Sequence, residues 1–323
     1  MKAALYRAYG SAADSLRVED VDRPEPGPGQ VRVRMQLSGV NPTDWKSRSG
    51  ATPRPIKGFQ VPHHDGSGVI DAVGSGVDPR RVGERVWTFM AAASGPWGTA
   101  AQWSVLPARQ AVQLPDGASA ELGASLGVPA MTAHRALFAD GLLEGKSVLV
   151  AGGAGAVGHY AIELAKFYGA RVATTVSGPV KAELAAKAGA DLVVNYRDAD
   201  AADQLRAFAP QMDRIVEVAL GANLELDLAV SGPETYIVDY AAEATDPVLP
   251  VRRCMNANVT LRFILLYGVP VAAADHAVGD ISRALQAGAL SELPVTRFSL
   301  YEVAAAHDAV QAGAVGKVLI EIP

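Results

Sequence analysis

The stretch Val148-Leu-Val-Ala-Gly-Gly-Ala-Gly-Ala-Val-Gly158, running on as His159-Tyr-Ala-Ile-Glu-Leu-Ala-Lys-Phe-Tyr-Gly169, decides the fold. Val148 to Val150 is a short apolar run of the kind that forms a strand buried on both faces. It breaks at once into Gly153-x-Gly155-x-x-Gly158, after which Val157, Ala161, Leu164, Ala165 and Tyr168 recur with helical period. The order is strand, glycine turn, helix. The glycines divide three jobs: a tight turn, close approach of a pyrophosphate to the main chain, and close packing of helix on strand. The N–H groups at the helix start then face the phosphates, so Gly153, Ala154, Gly155, Ala156, Val157 and Gly158 are the candidate dinucleotide cradle. A chain with 32 glycines meets this spacing by chance, and it is the strand-to-helix context that gives the motif weight.

Outward from the cradle, strand-like runs recur at 171–176, 191–196, 214–219, 235–240 and 259–267, with helical patterns at 180–188 and 201–207 between them. With the first strand these predict an α/β fold with a doubly wound parallel sheet of six strands. Upstream, residues 1–118 read as short β runs at 1–6, 30–37, 68–73, 85–89 and 100–105, separated by Gly and Pro clusters, which predicts a barrel-like domain. From residue 120 to 139 the chain turns alanine- and leucine-rich with helical spacing. After 269 the pattern reads as a helix at 277–287, a strand at 295–299, a helix at 300–312 and a strand at 317–322. The expected division is a β domain at 1–118, completed by 269–323, and a nucleotide domain at 119–268. A cofactor and a substrate are expected to meet in the cleft between them.

Composition narrows the function classes. Lys plus Arg number 29 against 34 Asp plus Glu, and no basic run offers a footprint for nucleic acid. No apolar run reaches transmembrane length and the N-terminal residues lack a signal-like core, so no membrane partner and a cytoplasmic location are expected. The single cysteine, Cys254, leaves no internal disulfide and no four-cysteine zinc site; it reads as a small hydrophobe near the end of a helix. His134, His159, His276 and His307 carry no spacing that suggests chemistry.

The order of β domain, nucleotide domain and returning tail, together with Ser38-Gly-Val-Asn-Pro-Thr-Asp44, Pro62-His-His-Asp-Gly-Ser-Gly-Val-Ile70, Val82-Gly-Glu-Arg-Val86, the glycine motif and Gly316-Lys-Val318, resembles the medium-chain dehydrogenase/reductase superfamily over essentially the whole chain. Within it the chain is similar to the zinc-free quinone oxidoreductase, or zeta-crystallin-like, branch. The resemblance implies a GroES-like catalytic domain, a Rossmann domain, and NADPH-dependent reduction of quinones or α,β-unsaturated carbonyls. It also implies a homodimer, for which 259–267 would supply an apolar edge strand. Two other roles stay open: an enoyl reductase tailoring a biosynthetic intermediate, and a non-catalytic NADPH-binding protein.

By the same resemblance, the zinc ligands of metal-dependent relatives would fall at Ser38, His64 and a residue near Val128. Only the histidine is there, and a hydroxyl and an aliphatic side chain do not replace two thiolates, so no catalytic metal is expected. An NAD-selective site carries an acid at the end of the second strand, where this chain has Ala173-Thr-Thr-Val-Ser-Gly-Pro-Val-Lys181. Ser177 and Lys181, with Tyr196 added by resemblance, suit the 2′-phosphate of NADPH. The family pattern further puts Thr132 at the nicotinamide, and Leu220, Tyr240 and Leu265, on loops after later strands, around the ribose and ring.

Without a metal, hydride addition to an enone needs a fixed donor for the charge arriving on the carbonyl oxygen. The candidates lie together in Asn41-Pro-Thr-Asp-Trp-Lys46, read as a loop stiffened by Pro42. Lys46 is the polar actor, standing where the quinone reductases most often carry tyrosine and related enone reductases carry lysine. Asn41 would contact ribose or substrate, and Asp44 would position Lys46 or else cap the following turn. Trp45, Phe59, Trp87 and Trp97 are available for an apolar acceptor pocket or for plain core.

Overall fold

A computed structural model describes residues 1–243 and 245–323 of the chain. It divides into two compact units, Met1–Val128 with Glu292–Pro323, and Pro129–Ser291.

In chain order the first unit holds β1 (Lys2–Leu5), α1 (Ala12–Ser15), β2 (Arg17–Asp20), β3 (Gln30–Val40), α2 (Pro42–Ser49), β4 (Asp65–Val73), β5 (Arg85–Thr88), β6 (Trp103–Pro107), β7 (Ala111–Gln113) and the start of α3 (Ala120–Phe138). The boundary falls inside α3, at Pro129, which has no N–H for the helical ladder. The second unit continues with β8 (Ser147–Ala151), α4 (Ala156–Phe167), β9 (Arg171–Val176), α5 (Pro179–Lys187), β10 (Leu192–Asn195), α6 (Ala201–Phe208), β11 (Met212–Glu217), α7 (Leu220–Ala229), β12 (Ser231–Asp239), α8 (Val251–Ala257), β13 (Thr260–Phe263) and α9 (Val271–Gln286). The chain returns to the first unit for β14 (Val295–Ser299), α10 (Val303–Gln311) and β15 (Lys317–Glu321).

The second unit's sheet is all parallel in the order β10-β9-β8-β11-β12-β13, the doubly wound arrangement expected from the recurring αβ pattern. Its strands are β-branched runs because both faces are covered. Leu149, Ala173, Val194, Ile215 and Ile237 from successive strands form one core with Leu205 and Leu224 of α6 and α7, and each large aliphatic side chain buried there contributes about 1.5–3 kcal/mol. Helix α9, expected to return to the β domain, belongs to the second unit. Its stripe of Ala274, Ala277, Ile281, Ala284 and Leu285 is buried, and the helix packs on α4.

In the first unit a sheet runs β14-β15-β3-β4-β5-β7, and β6 also pairs with β3. The 11 residues of β3 make this possible: its first half pairs with β6 and its second half with β15. Val31, Val33, Met35 and Leu37 alternate inward while Arg34 and Gln36 face out. Trp87 is fully buried and belongs to the core, so it is not a wall of an open pocket, whereas Phe59 and Trp97 meet edge to face at 4.9 Å.

One expectation fails outright in this unit. Residues 42–49 are the helix α2, not a loop. Pro42 occupies its first turn, where a missing N–H costs nothing, and Asp44 at the third position accepts from the Asn41 N–H at 2.7 Å. Among the described residues no helix is long and apolar enough to cross a membrane.

Candidate functional site

In the second unit, β8 ends on Ala151 and the chain reverses at Gly152, whose φ of 68° lies in the left-handed region. The tight turn is thus made by Gly152 and not by one of the three motif glycines, of which Gly153 and Gly158 serve close packing. A Cβ on Gly153 would meet Thr174 Oγ1 at 2.1 Å and Ile162 Cδ1 at 2.8 Å, and one on Gly158 would meet the Gly152 carbonyl oxygen at 2.4 Å. Gly155 differs. It is exposed, it is the N-cap of α4 with no capping side chain, and a Cβ there would meet only the Gly152 oxygen at 3.3 Å. The first N–H groups of a helix have no acceptor within it, so those of Ala156 and Val157 are offered around a bare glycine. The residues therefore fit a pyrophosphate.

Next to this turn, Ser177 and Tyr196 stand at the carboxyl ends of β9 and β10 and Lys181 in the first turn of α5, with Lys181 and Tyr196 exposed. Arg197, absent from the expected set, completes the group. Its Nη1 donates to the Ser177 carbonyl at 3.4 Å, and its guanidinium lies 5.7 Å from the centre of the Tyr196 ring. Its signal in the sequence was only its place beside Tyr196. The first carboxylate after β9 is Glu183, inside α5, so no acid stands where a ribose 2′-OH would need one.

The remaining expected cofactor residues differ in kind. Thr132 lies buried on α3. Tyr240 follows β12, where burial, reinforced by the carboxylates of Glu217 and Asp239, pushes its phenol upward. Leu265 is two-thirds exposed. Leu220 is not on a loop: it opens α7 and is 1 % exposed inside the sheet core, so only its main chain can meet a ligand.

In the first unit the residues around α2 and the start of β4 form a buried polar cluster. Asp65 is completely buried, and its carboxylate is fully used: Oδ1 accepts the Val128 N–H at 2.7 Å, and Oδ2 accepts Asn41 Nδ2 at 2.7 Å and Lys317 Nζ at 2.9 Å. Lys317 also donates to Asn41 Oδ1 at 2.8 Å. Space for this pair is made by glycines. A Cβ on Gly127 would meet Asp65 Oδ1 at 2.1 Å, and one on Gly39 would meet Lys317 Cε at 2.9 Å. Both ends of the Asn41 amide are engaged, which leaves one N–H for any ligand. Lys317 was legible only as part of a quoted family motif.

A chain of proton donors runs beside that pair. Thr99 Oγ1 donates to the Asp65 carbonyl at 2.6 Å, so Ser38, 2.7 Å away, must donate to Thr99, and His63 Nδ1 must donate to Ser38 at 2.8 Å. His63 Nε2 is then the acceptor for His307 Nε2 at 2.9 Å. Both imidazoles are neutral. Burial holds His63 well below its ordinary range, with the neighbouring His307, His64 and Lys317 adding to it, and takes His307 down to about 3, with Arg48 adding to it.

His64 is also pushed down to about 3 by burial and by Arg54, whose Nη1 lies 3.4 Å from His64 Nε2. Burial pushes Asp44 up to about 8, so at neutral pH it is largely protonated. Its Oδ1 sits 4.0 Å from His64 Nε2, beyond direct hydrogen-bond reach. Asp44 is thus a helix-capping acid two places from Lys46, and residues two apart on a helix face different ways. Lys46 is half-buried on α2, its Nζ 5.9 Å from the centre of the Trp45 ring.

These positions do not suit the zinc of the metal-dependent relatives. Ser38 is committed to His63 and Thr99, a guanidinium stands at His64 Nε2, and Val128 offers an N–H. A site for a dication needs thiolate or imidazole lone pairs converging on it, and here a cation already faces the one candidate imidazole.

Comparison with known proteins agrees with this geometry. A family model described as "Alcohol dehydrogenase GroES-like domain" matches residues 27–116, and one described as "Zinc-binding dehydrogenase" matches residues 156–282. A human quinone oxidoreductase is 26% identical over 325 residues, covering 99% of this chain and 97% of the relative. A chloroplastic quinone-oxidoreductase homolog of Spinacia oleracea is 33% identical over 230 residues, covering 68% of this chain and 69% of the relative. Among solved structures, a mycobacterial protein complexed with NADPH superposes with a TM-score of 0.86 at 28% identity, covering 99% of each chain. With a parallel six-stranded nucleotide fold, a GroES-like unit and relatives of this similarity, the chain belongs to the quinone oxidoreductase branch of the medium-chain dehydrogenase/reductase superfamily.

Proposed function

We propose that the protein is an NADPH-dependent reductase that delivers hydride to quinones or α,β-unsaturated carbonyls without a catalytic metal. The observation that carries the reading is the pairing of an open glycine cradle with Ser177 and Arg197 after the neighbouring strands and Lys181 in the first turn of α5, where no acid stands. Gly153 to Gly158 would hold the pyrophosphate, and Ser177, Lys181, Tyr196 and Arg197 the 2′-phosphate, through charge-assisted bonds that NADH cannot make. The bound cofactor supplies the hydride. Thr132, Tyr240 and the main chain at Leu220 and Leu265 are assigned to the ribose and ring.

Lys46 is assigned the charge that builds on the acceptor's oxygen, with Asn41 and Asp44 fixing the helix that carries it. The metal-free part of the reading is supported by the donor set at Ser38, His64 and Val128. A homodimer joined along β13 also fits, since β13 is the edge of its sheet and its last residue, Phe263, is exposed.

Steady NADPH oxidation with 9,10-phenanthrenequinone or a simple enone is the expected result, and zinc chelation should leave it unchanged. In that assay Lys46→Met should lower kcat by about tenfold, because a half-buried ammonium is partly replaced by water. NADPH binding with no turnover across a broad acceptor panel would instead point to a non-catalytic nucleotide-binding protein.

Cofactor choice has its own test. Arg197→Ala should raise KM for NADPH by about tenfold, the worth of one hydrogen bond to a charged phosphate, and leave KM for NADH as it was. An equal rise for both cofactors would remove Arg197 from the phosphate.

A further inference from the structure

We infer that the second unit has a transition-metal site of its own, built from His134 of α3 with His276 and Asp280 of α9, and that zinc binds there as a clip between the two helices. Among the described residues this is the one place where three His, Cys, Asp or Glu side chains bring ligand atoms within 4.8 Å of one another. Nothing in the sequence pattern announces it, because His134 lies 146 positions before Asp280.

The local geometry is that of a ligand set held ready. His276 and Asp280 are four apart on α9 and so share a face, with His276 Nε2 3.5 Å from Asp280 Oδ2. Zinc bound at about 2.0–2.1 Å by two ligands in tetrahedral geometry sets them roughly 3.3 Å apart, so this pair needs almost no movement. His134 Nε2 lies closer, 2.6 Å from the same oxygen, and must swing out by under about 1 Å to admit the ion. As it does, its ring proton passes to Nδ1, the other neutral tautomer, and Nε2 turns a lone pair to the metal.

The supports around the three residues are those that metal sites use. Arg283 donates to Asp280 Oδ1 and leaves Oδ2 for the ligand side. Phe138 stacks on the His134 ring at 4.6 Å and 28°, which fixes its plane. His134 and Asp280 are buried while the His276 side chain is 68% exposed, so an ion enters from solvent and keeps water as its fourth ligand. Two imidazoles and one carboxylate select zinc or its neighbours over magnesium or calcium.

Chelator-treated full-length protein titrated with zinc chloride by calorimetry should take up one ion per chain, and the loaded protein should melt at a higher temperature. Cobalt(II) in place of zinc should give the absorption of a tetrahedral site. His276→Ala, an exposed position, should fold and melt like the parent without metal but bind zinc at least about tenfold more weakly. His159→Ala should bind as the parent does. The inference is overturned if no saturable uptake occurs, if His276→Ala binds zinc unchanged, or if Cys254→Ser or His64→Ala is the variant that abolishes uptake.

Discussion

Lys317→Met should lower the stability of the first unit by about 3–5 kcal/mol, the cost of leaving a buried charge without its partner. Asp65 is fully buried, and Lys317, 2 % exposed, is the cation that compensates it at 2.9 Å. Removing the ammonium leaves the carboxylate with two neutral donors, from Asn41 and Val128. The effect is amplified by topology, since Asp65 opens β4, Asn41 follows β3 and Lys317 opens β15, three neighbouring strands held at one end. All 4 tryptophans, Trp45, Trp87, Trp97 and Trp103, belong to this unit, so their fluorescence in urea reports its unfolding. Asp65→Asn combined with Lys317→Met should recover 1 kcal/mol or more, roughly the worth of one restored hydrogen bond, because a neutral amide needs no cation and Asn41 can turn its own amide to meet it. A Lys317→Met midpoint within about 0.5 kcal/mol of the parent, the range of ordinary surface changes, would show that the pair does not hold these strands together.

The nucleotide half of the fold was legible because its signals are local. Buried parallel strands are continuous apolar runs, and the glycine turn sits where a strand must end; strand 171–176 was read to the residue. The errors have physical causes. Asn41 to Lys46 looked like a loop because Pro42 was weighed as a stiffener of irregular chain, although Asn41 before it and Asp44 two after it make a helix start. Leu220 was placed by analogy on a loop lining the ring, while the α7 stripe it begins turns it into the core.

The candidate site was legible to the extent that its residues are neighbours in the chain. Asn41, Asp44 and Lys46 could be read together, but what holds Asn41 is Lys317, 276 positions away, and no spacing rule connects them. The same holds for the three neutral imidazoles. His63 and His64 are adjacent in sequence yet belong to different networks, one ending on Asp65 through Ser38 and Thr99, the other against Arg54. Local pattern carries the backbone and its turns, whereas a buried polar network is made by tertiary contacts.

Gly155→Ala and Gly158→Ala should separate the two meanings of the glycine motif. At Gly155 an added Cβ meets only one carbonyl oxygen, at 3.3 Å, and its φ of −77° suits any residue, so stability should change by less than about 1 kcal/mol, the loss of a modest N-cap. That methyl group, however, occupies the space through which a pyrophosphate would reach the first N–H groups of α4. Losing two hydrogen bonds to a charged phosphate amounts to about 3 kcal/mol, so NADPH affinity should fall by about a hundredfold in a protein that melts like the parent. At Gly158 the added atom meets main chain at 2.4 and 2.8 Å, on Gly152 and Gly153, and neither can rotate away. Helix α4 must lift off β8, which should cost about 1–3 kcal/mol of stability and weaken NADPH binding as a consequence. Calorimetric titration of NADPH, set beside thermal melts of both variants, distinguishes the cases. Undiminished binding by a stable Gly155→Ala protein would mean that the turn is a packing device and that the dinucleotide lies elsewhere.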